Sequence, residues 1–395
     1  MATVKWNGGA STTTQVDTLT PGGTIEATDV FSVTLTGEDG TAVTVDAIAG
    51  GTSVADVTAS VQAACAASTN DLFTAVTFAD ITTAITVTAN IAGVPFYCTV
   101  ATTETGGGAA DAQTFNRAAT TASSGPNDFN TDANWEGGSA PSAADDVIVS
   151  GSLYSILFGL DQSTLNLTSF RVGRTFKGTV GDANSRYDLQ LGTITDVSLD
   201  SISGPVRLDS TATNVIIKGT ATGSQAVVLG TQATNLSVGT SEVTGNVDVK
   251  ASTSVSTLRW MSPSATATLT VGASVSATTV YFKGGTCEWN GGTIASLDII
   301  DGNWRHLAGN ITAVDVDGGV LDFRAGSTLT LANISDGMVT FANSEKDSTT
   351  LTNANVRNGT LDLRNAVDNI TVSNNIVTTL GKVVGDVGQT INPKA

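Results

Sequence analysis

The chain is poor in charge: of 395 residues only 14% are Asp, Glu, Lys or Arg, 5% are aromatic, 7 are proline, 3 are cysteine and one is histidine. Each shortage removes a class of function. Eighteen Lys and Arg against 36 Asp and Glu leave a net charge of −18. A surface of that sign repels the phosphates a nucleic-acid binder must neutralise, so no nucleic-acid partner is expected. Cys65, Cys98 and Cys287 are odd in number, lack C-x-x-C spacing and sit among apolar neighbours. They read as buried free thiols rather than as a disulfide framework. No His/Cys/Asp cluster has metal-ligand spacing, so neither a metal nor a cofactor is expected. No apolar run is long enough to span a bilayer, and the opening Met1-Ala-Thr-Val-Lys-Trp lacks the basic segment and apolar stretch of a Sec-type leader. Neither membrane insertion nor a secretion signal is expected.

What the chain has instead is glycine, 42 residues of it, set in a repeat. Gly-x-apolar-x-(apolar or His) recurs as Gly285 to Trp289, Gly302 to His306, Gly319 to Phe323, Gly337 to Phe341 and Gly359 to Leu363, at spacings of 17, 17, 18 and 22 residues. A period near 20 built from alternating strands predicts a parallel β-solenoid, each turn burying its inward side chains against its neighbours. Similar alternations run back through Leu269–Phe282, Val247–Leu258, Val227–Val238, Val206–Ile217, Leu189–Leu199 and Leu165–Val172. A solenoid over 134–385 with a tail at 386–395 follows, with about 12 turns and a length of about 55–60 Å.

Counting from each glycine places positions +2 and +4 inside: Cys287 and Trp289, Trp304 and His306, Leu321 and Phe323, Val339 and Phe341, Leu361 and Leu363. Position +3 then faces outward, which puts Arg305 between the carboxylates of Glu288 and Asp322 on successive turns and predicts a stacked ion triad. His306 holds a core slot, so an interior role is expected for it rather than a catalytic one. Asn166, Asn235, Asn310, Asn333 and Asn369 recur before Ile or Leu and then Thr or Ser. They read as turn residues, since Asn tolerates left-handed backbone.

Ahead of the solenoid, residues 25–104 form a separate pattern. Alternating runs at Asp29–Thr36 and Thr41–Ile48 flank Gly37-Glu-Asp-Gly40, a hairpin turn. Thr52 or Ser53 caps a helix whose Val54, Val57, Val61 and Ala64 or Cys65 make one apolar face. Strand-like runs follow at 72–79, 83–90 and 94–102. A small α/β domain is expected, its helix covering one sheet. Residues 1–24 read as an extended arm. Residues 105–133 read as a flexible linker, because the glycines at 106–108 have no GxxxxGK[ST] to make them a phosphate loop.

Two stretches carry a resemblance. Phe31 through Thr88-Ala-Asn-Ile-Ala-Gly-Val-Pro-Phe96 is similar to a hairpin, helix, hairpin module of tailed-bacteriophage virion proteins. Asn134-Trp-Glu-Gly-Gly138 with Pro141-Ser-Ala-Ala-Asp-Asp-Val-Ile-Val149 resembles the segment that precedes β-solenoids in phage and bacterial surface proteins. W-x-G-G, at Trp6, Trp135 and Trp289, suggests a wedge where a coil begins or is capped. The resemblance implies a non-enzymatic virion structural protein, assembled in the host cytoplasm as a homotrimer: a capsid decoration or cement protein on the major capsid protein. Alternatives are a tail fibre or tailspike partnered by tail proteins, or a carbohydrate-degrading β-helix spike. For catalysis the sequence offers only Asp298 and Asp315, each 13 residues after its glycine and so stacked on consecutive turns. Sugar grooves also want exposed aromatics, and Trp289 and Trp304 fall in inward slots, so no catalytic residue is assigned.

Overall fold

A computed structural model describes residues 2–105, 113–181, 187–200, 203–223, 226–230, 232–239, 242–250, 255–261, 264–273, 275–341, 349–364 and 370–385. With 53% strand and 6% helix the protein is mainly β, and residues 146–384 form a parallel β-solenoid of about 10 turns. The expected 12 turns assumed a constant short period. Among the early turns the neighbours Asp146, Ser169 and Asp196 are 23 and 27 residues apart, whereas the strands Ala277–Trp289 and Ile294–His306 pair at a step of 17. Ten turns at about 4.8 Å give a rod of about 48 Å.

The glycine column explains the tight period. Gly285, Gly302 and Gly319 have φ of +71°, +95° and +70°. A Cβ at Gly302 would lie 2.8 Å from the carbonyl oxygen of Gly285, and one at Gly319 2.5 Å from that of Gly302. Each turn therefore rests its backbone directly on the last, which only glycine allows. The positions two and four residues later point inward as expected, and all ten side chains are buried. Their rings stack from turn to turn: Trp289 on Trp304 at 5.7 Å, His306 on Phe323 at 4.9 Å and Phe323 on Phe341 at 5.5 Å between centroids.

The chain's beginning is not an arm. Thr3–Trp6 runs parallel to Asp146–Val149, pairing Thr3 with Asp146 through Trp6 with Val149, and so supplies the rod's first strand. Trp6 stands edge-on to Trp135 at 5.0 Å, and Trp135 to Phe129 at 4.9 Å. These rings close the end of the core, as the W-x-G-G motif suggested. The third copy, at Trp289, lies inside the rod.

Residues 105–133 are likewise not a linker throughout. Gln113–Thr121 is a strand paired antiparallel with Val16–Gly23, in a four-stranded sheet with Ile85–Ala89 and Val76–Asp80. Its composition is that of a loop, but Phe115 is buried edge-on to Phe31 at 5.5 Å, and Arg117 reaches the fully buried Asp17 at 2.6 Å. The glycines at 106–108, like Asn369 and the tail at 386–395, lie outside the described residues.

The N-terminal domain thus has two sheets rather than one. The second holds Ala42–Ile48, Val30–Thr36 and Tyr97–Thr103. Between them lies the helix Val54–Ala66, capped by Ser53 in a capping box with Asp56, its buried face formed by Val57, Thr58, Val61 and Cys65. The run at 72–79 divides: Asn70 caps one helical turn, Asp71–Thr74, before the strand Val76–Asp80 begins. The domain docks on the rod through Glu38, from the hairpin turn. Its carboxylate accepts the backbone N–H groups of Gly159 and Leu160, each at 3.1 Å, and the Tyr97 hydroxyl at 3.0 Å. Burial pushes the Glu38 carboxyl above its ordinary range, with these donors pulling the other way.

Inward and outward positions should respond differently to truncation. Phe323→Ala removes a fully buried ring between two others and is expected to cost about 3–5 kcal/mol. Thr330→Ala, on an exposed outward position, is expected to cost less than about 0.5 kcal/mol. Denaturant unfolding of both variants checks the difference.

Candidate functional site

The outward side chains of a solenoid form columns, one residue per turn, so chemistry accumulates along the rod rather than in a pocket. One column reads Arg259, Tyr281, Asp298, Asp315, Asn333, Asn355. Asp298 and Asp315 are direct neighbours on the strands Ile294–His306 and Ile311–Val316, as their spacing predicts. Asp315 accepts the Asn333 side-chain amide at 2.7 Å, and Asn333 accepts that of Asn355 at 2.8 Å. Asp298 sits at the other end of this ladder, half-buried, one oxygen out of solvent and without a hydrogen-bond donor. Desolvation first, then Asp317 and Asp315, raise its carboxyl above the ordinary value. The Arg259 guanidinium lies 4.6 Å from the Tyr281 ring centroid, one turn before Asp298.

Chemically this stripe joins a carboxyl whose pKa is raised to a second carboxylate a strand spacing away, with a half-buried aromatic ring alongside. Two such groups can share a proton or grip a cation, and a glycoside hydrolase uses a pair of this kind. Tyr281 escaped the sequence reading because the repeat was counted from Gly285. The 17-residue step that joins Asp298 to Asp315 also lands on Tyr281 when taken backwards.

The ion triad forms only in part. Arg305 pairs with Glu288 at 2.8 Å, but Asp322 turns to Arg324, two residues on, at 2.6 Å. Asp362 does the same with Arg364 at 2.6 Å, and those hydrogen bonds hold the Asp362 carboxyl below its ordinary range. An i, i+2 pair lies on one face of one strand, so it forms without help from the neighbouring turn. Asp322 and Asp362 face outward yet are buried, which the expectation of a solvent-facing +3 position missed.

The remaining sequence candidates fall inside the rod. His306 is fully buried, its Nε2 2.8 Å from the Gly309 carbonyl oxygen. Desolvation brings its pKa down to about 4 despite that hydrogen bond. Trp289 and Trp304 are buried as well, offering no sugar platform. Cys65, Cys98 and Cys287 are free and buried. Burial raises the first two thiols to about 12. Asn166 and Asn310 lie between strands and accept the N–H groups of Thr193 and Thr328 on the next turn, without the left-handed backbone expected of them. Asn235 and Asn333 instead sit in strands as members of amide ladders. Among the described residues, three side chains of metal-ligating type converge only in the N-terminal domain, at Glu26, Asp29 and Glu104. Comparison with protein-family models, with curated proteins and with solved structures finds no match.

Two titrations follow. His306 is neutral in the fold, and its pKa falls from the model-compound 6.5 to about 4. The unfolded chain therefore binds the extra proton first, and stability present above pH 6.5 is lost as pH falls towards 4, by roughly 3 kcal/mol. His306→Phe is expected to remove that part of the acid sensitivity in unfolding curves recorded between these limits. Asp298 has the opposite sign, its carboxyl being raised in the fold. Asp298→Asn is expected to raise the melting temperature at pH 7 and to lose this advantage near pH 3, where the carboxyl is protonated in both states.

Proposed function

We propose that this chain is a non-enzymatic structural protein of a tailed-phage virion, a capsid decoration protein that binds the major capsid shell as a homotrimer. The observation that carries the reading is the division of labour in the molecule. A rod with its large aromatics turned inward is joined, through the half-buried Glu38 contact, to a compact domain that exposes Ile48, Ile81 and Ile91 at 62%, 51% and 65%. These side chains are available to a partner protein, but scattered singly they are common on protein surfaces and do not by themselves mark an interface. The rod suits reach: its outward columns are largely hydroxyls and amides, several cross-linked between turns, as in Asp196, Asn214 and Asn235 at 2.9 and 3.0 Å. The resemblance of residues 31–96 to a module of tailed-phage virion proteins, and of 134–149 to the segment before β-solenoids in phage and bacterial surface proteins, supports a virion protein, which would be assembled in the host cytoplasm.

The stripe of Tyr281, Asp298 and Asp315 favours one second reading, a carbohydrate-degrading spike at the tail. Labelled-antibody microscopy of virions separates the two. Signal over the head is the expected result, signal at the tail favours the fibre or spike, and absence from virions overturns the proposal. Purified protein incubated with host capsule or lipopolysaccharide is expected to release no reducing ends or unsaturated sugars. Release that disappears in Asp315→Asn would establish the enzymatic reading instead. Ile91→Asp is expected to weaken association with capsids lacking the protein while leaving the melting temperature within about 1 °C, as suits an exposed position.

A further inference from the structure

The turn that leads into the strand Val30–Thr36 brings carboxylates together. Asp29 is fully buried. One of its oxygens accepts the Glu26 backbone N–H at 2.7 Å, while the other is out of solvent and has no hydrogen-bond donor. A buried carboxylate oxygen left without a partner is costly and rarely retained unless something binds it. Two further carboxylates converge on it: oxygens of Glu26, Asp29 and Glu104 all lie within 4.8 Å of one another. Among the described residues no salt bridge involves Glu26 or Asp29. Glu26 and Glu104 are only half-buried, which leaves the cluster open to solvent on one side.

We propose that Glu26, Asp29 and Glu104 form a binding site for a hard divalent cation, Ca2+ in preference to Mg2+. All three ligands are oxygens, with neither histidine nor cysteine, which selects against zinc and copper. Three carboxylates around one ion suit Ca2+, which takes six to eight oxygens in flexible geometry, better than Mg2+, which keeps several of its waters and is held by one or two carboxylates. Carboxylate oxygens within 4.8 Å of one another can converge on one such ion. The ion would tie two chain segments already in register, since Val30 pairs with Thr103 and the Thr105 hydroxyl donates to the Thr28 carbonyl oxygen. It would thus clamp the start of Val30–Thr36 to the end of Tyr97–Thr103, in the domain that carries Glu38. Waters or backbone carbonyls would complete the six to eight oxygens that Ca2+ takes.

The full-length protein, stripped with EDTA and titrated with CaCl2 in a calorimeter, tests this directly. One saturable site is expected, with a melting temperature that rises with Ca2+. Asp29→Asn keeps an acceptor for the Glu26 N–H, so it is expected to fold, to melt no lower than the wild type in EDTA, and to bind Ca2+ at least tenfold more weakly. Glu26→Gln and Glu104→Gln, at half-buried positions, are expected to weaken binding by a similar factor, and they carry the test if the Asp29 variant does not fold. No saturable binding up to about 10 mM, above the weakest extracellular Ca2+ modules, would overturn the proposal. So would affinity unchanged in all of these variants. Equal affinity for MgCl2 would contradict the preference for Ca2+.

Discussion

The structure depends on one constraint: each turn of the rod must bury its inward side chains against the same columns of the next. A single turn has no core of its own, so its stability comes from its neighbours. The glycine column sets the distance. Where Gly302 rests on the Gly285 carbonyl and Gly319 on that of Gly302, the turns close at strand spacing, and rings as large as Trp289, Trp304 and Phe323 are stacked and buried. The same constraint makes the rod's first turn a liability, because its strand edge and core would face water. The chain meets it with its own beginning. Thr3–Trp6 covers Asp146–Val149, and Trp6, Trp135 and Phe129 close the core's end.

Features encoded within one repeat were legible in the sequence. Inward and outward alternation from Gly285 to Leu363, the stacking of Asp298 on Asp315, the capped helix and the Gly37–Gly40 turn all rest on spacings of a few residues or on a fixed period. Features that rest on distant partners were not. Nothing local marks Thr3–Trp6 as a rod strand, since its partner is more than a hundred residues away and parallel pairing leaves no turn signature. Gln113–Thr121 carries one large apolar residue, Phe115, and owes its strand to backbone pairing with Val16–Gly23. Arg324 and Arg364 captured Asp322 and Asp362 because a partner on the same strand competes better than one on the next turn. The Glu26, Asp29 and Glu104 cluster joins residues some 75 positions apart and was invisible for the same reason.

Columns also shape what the surface can do. An outward residue on a solenoid has neighbours about 4.8 Å above and below, so like residues reinforce one another for good or ill. Amides gain by this, as in Asn333 and Asn355. Carboxylates lose by it, Asp315 adding to the desolvation that chiefly raises Asp298. Net charge of −18 is carried at little cost where the acids are separated or paired, and the exceptions at Asp298 and Asp29 are where chemistry is to be sought. The Glu38 contact joins the N-terminal domain to the rod, its carboxylate accepting the Gly159 and Leu160 N–H groups.

Hydrogen exchange followed by mass spectrometry, on a peptide covering residues 2–9, tests the central claim that the rod is one stacked unit completed by the chain's own beginning. The account predicts that the amides of Thr3–Trp6 exchange slowly, in step with those of Asp146–Val149. Exchange of residues 3–6 at the rate of an unstructured peptide, while 146–149 remain protected, would contradict it.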